Sequence, residues 1–250
     1  NTIDKMFTLL EKIIKDINEP DLFVNVINIT KILIKDTNTI NFEKEKISFI
    51  LRSLNEPLIR NNTQTILSPF LSLMPSIASG SNDLMKIVLD FFLKELKPNN
   101  SEQFNIFENA KSLFMLNGFS EFIISIPSTE VELRDLIFQS QILSDAISYL
   151  FKLFPLNENH NSEKWQSSVE VPCLPMLLKT LTGMVLCHKP TQELFIKDDS
   201  SLIRLLLQLE NATSSSSIGE YAKQTLNNAI IEPSKCIESI QKIKEHQIQD

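Results

Sequence analysis

Glycine is scarce in this chain, with four in 250 residues. Glycine supplies the positive-φ turns of β-hairpins and the close backbone approaches of nucleotide-binding crossovers. A β-sandwich, a Rossmann unit or a phosphate-cradling loop would each want more of it. Helices joined by short polar turns do not, and proline stops them well enough. The length suffices to bury a substantial core, as one elongated domain or two compact ones. Apolar residues at 42% and charged residues at 22% place the chain among folded soluble proteins rather than disordered ones.

The formal charge of −7 argues against a nucleic-acid partner, because phosphate binding needs a basic face and no Lys/Arg stripe with interleaved aromatics is present. No uninterrupted apolar run approaches the ~20 residues of a membrane span. The richest, Ile66 to Ile77, is broken by Pro69 and Pro75. The cysteines, Cys173, Cys187 and Cys236, are sparse and odd in number. That fits free thiols in a reducing compartment, so the expected location is the cytoplasm, with the nucleus as the other choice. The chain opens on Asn1 rather than Met, which points to a piece of a longer protein.

Apolar residues recur at helical steps along most of the length. Ile3, Met6, Leu9, Leu10, Ile13, Ile14 and Ile17 make one face, which Pro20 ends, with Asp21 able to cap the next helix. The stretch from Phe23 to Ile29 is β-branched and partly alternating. It still reads as helix, because Ile32, Leu33 and Ile34 continue the run without a turn signal. Phe42 to Leu54, Thr63 to Leu73 and Leu84 to Leu96 repeat the pattern. In the last, Leu84, Ile87, Val88, Phe91 and Phe92 form the expected buried stripe, with Asp90, Lys94 and Glu95 outside. The longest expected helix runs from Glu130 to Phe154, opened by a capping box of Thr129 and Glu132 and stopped by Pro155. Asn157 to Val171 reads as a polar insertion anchored by Trp165. A second capping box, Ser217 with Glu220, opens a helix through Leu226, and Pro233 with Ser234 starts a last one.

These segments predict an all-α fold, an irregular armadillo/HEAT-like helical array. No fixed 34- or 42-residue period aligns them, which excludes a clean tetratricopeptide reading. A compact irregular helical domain is the competing architecture. The expected layout is an N-terminal helical array over 1–155, a polar surface insertion over 156–171 and a C-terminal helical segment over 172–250 that continues the array.

Catalytic and metal chemistry find little footing. Cys173, Cys187, His188 and His246 lack the closely paired spacing of zinc ligands, and Cys173 is expected to pack as a small apolar residue. Cys187 and His188 are neighbours, but adjacent helical residues do not face one another, so a thiol–imidazole pair is not indicated. Cys187 is read as ending an apolar helix face, and His188 as sitting at a helix C-terminus, where the dipole favours it. Asp198-Asp199 before Ser200-Ser201 reads as a helix start. Gly183, inside a helical pattern, is read as a site of close helix packing. No catalytic residue, cofactor site or metal site is expected in this segment.

One stretch is more specific. Thr182 and Gly183 after Leu181, then His188, Thr191 and Gln192, Leu209 and Glu210, and Ser214 to Ser217 with Ile218 and Gly219 resemble the C-terminal helical region of the giant UBR-box E3 ubiquitin ligases, the calossin, BIG or Pushover family. The resemblance runs from about Leu177 to Ile230. Before the histidine that family tends to carry a basic residue and a glycine, where this chain has Leu186 and Cys187. The resemblance implies a structural role for those signature residues. It implies a non-catalytic scaffold within a ligase of RING-like type that acts in protein degradation. Its partners would be proteins, an E2 enzyme indirectly and the ligase's substrates, with a zinc-bearing module downstream. The residue inventory agrees, since three Cys and three His cannot build a cross-braced ring. The rival readings are a helical-repeat adaptor unrelated to ubiquitin and a self-association module.

Overall fold

The computed structural model describes residues 2–15, 20–36, 47–48, 51–52, 66–78, 81–96, 105–108, 110–155, 162–196, 201–213 and 216–229. The fold is an all-α helical repeat array, with no strand among the described residues. It divides into two units, Asn1–Ile126 and Pro127–Asp250. The regions around Phe42 and Thr63, Asp198-Asp199 and the expected helix after Pro233 lie wholly or partly outside the described residues.

In the first unit, α1 (Thr2–Lys15) packs on α2 (Pro20–Asp36). Phe23, Val26, Ile27 and Thr30 form the buried stripe of α2 at three- and four-residue steps, so the helical reading of this β-branched stretch holds. Pro20 opens α2, with Asp21 in its first turn, and residues 16–19, where the preceding helix was expected to end, lie outside the described residues. Proline fits there because the first helical amide has no intrahelical partner to lose. The buried Thr30 hydroxyl donates to Val26 O at 2.7 Å, which lets a polar residue occupy the core face. Two short helices come next, α3 (Ser68–Leu71) and α4 (Met74–Ala78), where one helix through Leu73 was expected. Pro75 has no N–H to continue a ladder, and a turn at Ser72–Leu73 separates the pieces.

The unit continues with α5 (Asn82–Glu95), α6 (Asn105–Glu108) and α7 (Ala110–Ser125). Ser81 caps α5, its hydroxyl accepting from Leu84 N at 3.2 Å. The buried face of α5 is Leu84, Met85, Val88, Leu89 and Phe92. The expected stripe was therefore rotated: Ile87 and Phe91 are half-buried, while Met85 and Leu89 point inward. Two adjacent apolar stripes compete on this helix, and Phe92 decides between them by packing on Phe119 (5.6 Å) and Phe122 (5.7 Å) of α7. Phe23 and Phe70 stack with centroids 6.0 Å apart and bind α2 to α3.

The close-approach glycine is Gly118 on α7. A Cβ added there would stand 2.9 Å from Leu71 Cβ and 3.4 Å from a ring carbon of Phe92. α3 thus crosses α7 at a distance only glycine permits.

The second unit holds α8 (Val131–Gln139), α9 (Ile142–Leu153), α10 (Glu163–Val169), α11 (Leu174–Val185), α12 (Lys189–Leu194), α13 (Ser201–Ala212) and α14 (Ser217–Asn228). The single helix expected over 130–154 is two. Gln141 has φ 68°, and Ser140 N and Oγ both turn back to Ile137 O. The break falls on the polar run Gln139-Ser140-Gln141, where the apolar seam lapses and the left-handed backbone of Gln141 cannot continue a right-handed helix. The capping box expected at Thr129 is also absent, since Glu130 occupies the N-cap without a side-chain bond. At α14 the cap is Ser216 rather than Ser217, accepting from Gly219 N at 3.4 Å, while Glu220 pairs with Gln224.

Ser162 caps α10, and Trp165 packs edge-on against Phe154, 5.2 Å between centroids. α11 is buried on nearly every side, with Leu174, Leu177, Leu178 and Thr180 through Val185 all inside. It packs against α9, α12 and α14, and α13 covers α14. A helix apolar all round belongs at the centre of its unit.

Replacing Gly118 by Leu forces α3 and α7 apart. We expect a loss of about 1–3 kcal/mol in urea unfolding, with unchanged stability showing that the crossing relaxes freely.

Candidate functional site

The polar residues of the second unit gather where α11 ends and α12 begins. α11 closes at Val185, and Cys187 takes φ 58° to turn the chain. His188 then starts α12 as its N-cap. This corrects both expectations for the pair. Cys187 is exposed in a left-handed turn rather than on an apolar helix face. His188 is fully buried at a helix N-terminus rather than favoured at a C-terminus.

The Thr191 amide donates to His188 Nδ1 at 3.3 Å, and Thr191 Oγ1 lies 2.6 Å from the same nitrogen. An amide can donate only to an unprotonated nitrogen, so the proton sits on Nε2. Nε2 donates to Asp135 Oδ1 of α8 at 3.0 Å. Phe138 of α8 meets the ring edge-on at 5.6 Å. The imidazole thus does for α12 what Ser or Asp does elsewhere, while its other side is held by α8.

Gln192 adds a second tie. Its side-chain amide donates to Val185 O at 2.9 Å and to Asn228 O at 3.2 Å, closing carbonyls at the ends of α11 and α14 together. On α11, the hydroxyls of Thr182 and Thr225 stand 2.7 Å apart across the α11–α14 contact. Leu178 O and Tyr221 O are within reach of Thr182 and Thr225, at 2.8 and 2.7 Å, for the remaining hydrogen. Gly183 is buried within α11, and its carbonyl accepts from Arg134 Nε at 3.3 Å. Arg134, fully buried on α8, also donates from Nη1 to Pro127 O at 2.7 Å. Burial pulls its guanidinium below the usual arginine range, with Cys187 and Glu130 acting in the opposite direction.

The structure therefore brings Thr182, Gly183, His188, Thr191 and Gln192 into one region. Leu209, Glu210, Ile218 and Gly219 lie on α13 and α14: Leu209 is fully buried, Ile218 nearly so, and Gly219 supplies the capped amide of α14. Sequence reasoning missed Arg134, Asp135, Phe138 and Thr225. A signal for Arg134 existed, because it stands three residues before Ile137, in phase with the apolar seam.

Asp135, His188 and Thr191 have the connectivity of a carboxylate–imidazole–hydroxyl triad. The Thr191 hydroxyl, however, is fully buried, and the nitrogen that would act as base also serves a backbone amide. The arrangement closes a helix end and offers no approach to a substrate. No group of three or more His, Cys, Asp or Glu positioned for a metal occurs among the described residues. Nor is any described helix long and apolar enough to cross a membrane.

Fold and corner together define a helical-repeat segment whose polar residues serve its own packing. Over residues 1–246 the chain matches the family described as the E3 ubiquitin-protein ligase UBR4 TPR-like domain, and it belongs to that family. It is similar to a probable E3 ubiquitin-protein ligase of Dictyostelium discoideum, 26% identical over 252 residues. That similarity spans 91% of this chain but only 4% of the relative's length. No solved structure matches.

The left-handed Cys187 generates a prediction. Such a conformation is strained for any residue with a Cβ, and glycine adopts it freely. Cys187→Gly is expected to raise stability by about 1 kcal/mol, read as a higher melting temperature. A fall would mean that the Cys187 side chain contributes packing worth more than the strain.

Proposed function

We propose that the chain is a non-catalytic helical scaffold segment of a large E3 ubiquitin-protein ligase. It positions a downstream zinc-dependent, E2-binding module relative to substrate, in the cytoplasm. The observation that carries this reading is the family match along nearly the whole chain. The second unit supports it, because the buried His188 and Thr191 and the side chain of Gln192 are engaged in closing helix ends. A packed helical array is a stiff spacer, and holding two reacting partners at a set distance and angle is itself a large contribution to rate. The partners in this reading are ligase substrates directly and an E2 enzyme indirectly.

The alternative is a helical-repeat adaptor unrelated to ubiquitin transfer. One observation favours it: a groove of about 430 Å³ between α3–α4 and α7, lined by Ser72, Pro75, Phe114, Asn117 and Glu121 with Lys31 at its edge.

Discharge of ubiquitin from a panel of charged E2 enzymes separates the two. Under the scaffold reading this chain alone discharges none, and the chain extended by its natural downstream sequence does. No discharge from either folded protein would favour the adaptor. In the parent protein, Cys187→Ala is expected to leave ligase activity intact, and complete loss with folding preserved would sink the scaffold assignment.

A further inference from the structure

We propose that the groove between α3–α4 and α7 binds a short acidic segment of a partner protein, with Lys31 meeting its carboxylate. The polar side chains at the His188 corner are bonded within the protein. In this groove several are not. Lys31 reaches over from α2, half-buried, and its ammonium touches only Ser72 Oγ, at 3.4 Å. That hydroxyl donates its own hydrogen to Pro69 O at 2.6 Å, and no carboxylate among the described residues pairs with Lys31. The half-buried Ser68 hydroxyl and Asn117 carboxamide line the same groove and have no partner among the described residues either. Half-buried polar groups without a partner mark a place where a ligand can complete the bonding.

An ammonium, a carboxamide and a hydroxyl together form a donor set that suits a carboxylate, and the ammonium–carboxylate bond is the strongest of those on offer. Glu121 lines the groove as well, but it already has an interaction of its own. Its charge beside a single lysine leaves the site near neutral. That suits a singly charged carboxylate and disfavours a phosphate group, which carries nearly two charges. The shape selects a peptide over a free acid. On α7 the lining runs from Phe114 to Ser125, about 16 Å of helix, which matches about five residues of extended chain. Phe114 and Ile124 stand on either side of Asn117 along α7, so an acidic residue between apolar neighbours fits the pattern. The inference holds under either reading of the parent protein, since a ligase scaffold and an adaptor both need a seat for a partner. Its test involves no ubiquitin, so the two can fail separately.

The 250-residue chain is equilibrated with pools of capped pentapeptides carrying glutamate, glutamine or lysine at the centre. Leucine, phenylalanine, proline and alanine vary at the flanking positions. Retained peptides are identified by mass spectrometry, and the Asn117 side-chain amide is followed by NMR. The glutamate pool is expected to be retained about tenfold more strongly than the glutamine pool, the worth of one bond to a charged group, and to shift the Asn117 resonance. Lys31→Met should abolish that preference at an unchanged melting temperature, and Lys31→Arg should keep it. Equal retention of the glutamate and glutamine pools, a preference for lysine, or a preference that survives Lys31→Met overturns the proposal. Retention of no pool overturns it too, including the case in which the chain self-associates and a second copy fills the groove. If acetate alone shifts Asn117 as far as the glutamate pool does, the groove is an anion site and the peptide assignment falls. The comparison of pools on the native chain decides the matter even where a variant fails to fold.

Discussion

A helix end is a cluster of backbone groups with no partner of their own, and a buried end must borrow partners from elsewhere. The second unit depends on how this is solved where α11 meets α12. α11 is apolar on nearly all sides and lies inside, so its closing carbonyls cannot turn to water. Gln192 reaches back to Val185 O, Arg134 reaches across to Gly183 O, and His188 supplies the acceptor that lets the next helix begin. The same side chains fix α8 and α14 against α11. Capping and tertiary packing are one set of bonds here, so the ends of several helices stand or fall together.

The first unit solves a different problem. Its join is apolar and depends on distance: Phe92 packs on two phenylalanines of α7, and Gly118 lets Leu71 approach where any other side chain would intrude. In both units the interior is devoted to holding helices. Membership of a ligase family whose relative is vastly longer fits a segment of this kind. The family's description calls the domain tetratricopeptide-like, although no 34-residue period can be read in the chain.

Much of the fold was legible because apolar spacing reports helices directly. The β-branched stretch from Phe23 and the helix over Asn82–Glu95 were readable in this way, although the inward face of the latter was not. Where Ile87 and Phe91 compete with Met85 and Leu89, the choice rests on aromatic partners in α7, which no local pattern reveals. The break at Ser140–Gln141 was not legible, because Gln139, Ser140 and Gln141 amid a long apolar run look like the exposed face of one helix, and the left-handed backbone of Gln141 leaves no local signal. Serines misled at α14, because Ser216 and Ser217 are equally good caps by type and differ only in backbone angle. The signature residues were legible through their resemblance to the ligase family, yet their mechanism was not. His188 draws its meaning from Asp135, 53 positions away.

That separation makes the corner unequal under mutational drift. Asp135 is half in water, and a replacement there leaves a carboxylate's worth of solvation easily made up. His188 and Thr191 are sealed, and losing either strands a polar group that no solvent can reach. Across descendants of this sequence Asp135 should wander first, while His188 and Thr191 change rarely and only in concert. Cys187 should drift most readily to glycine, since its left-handed turn sets the direction in which α12 departs.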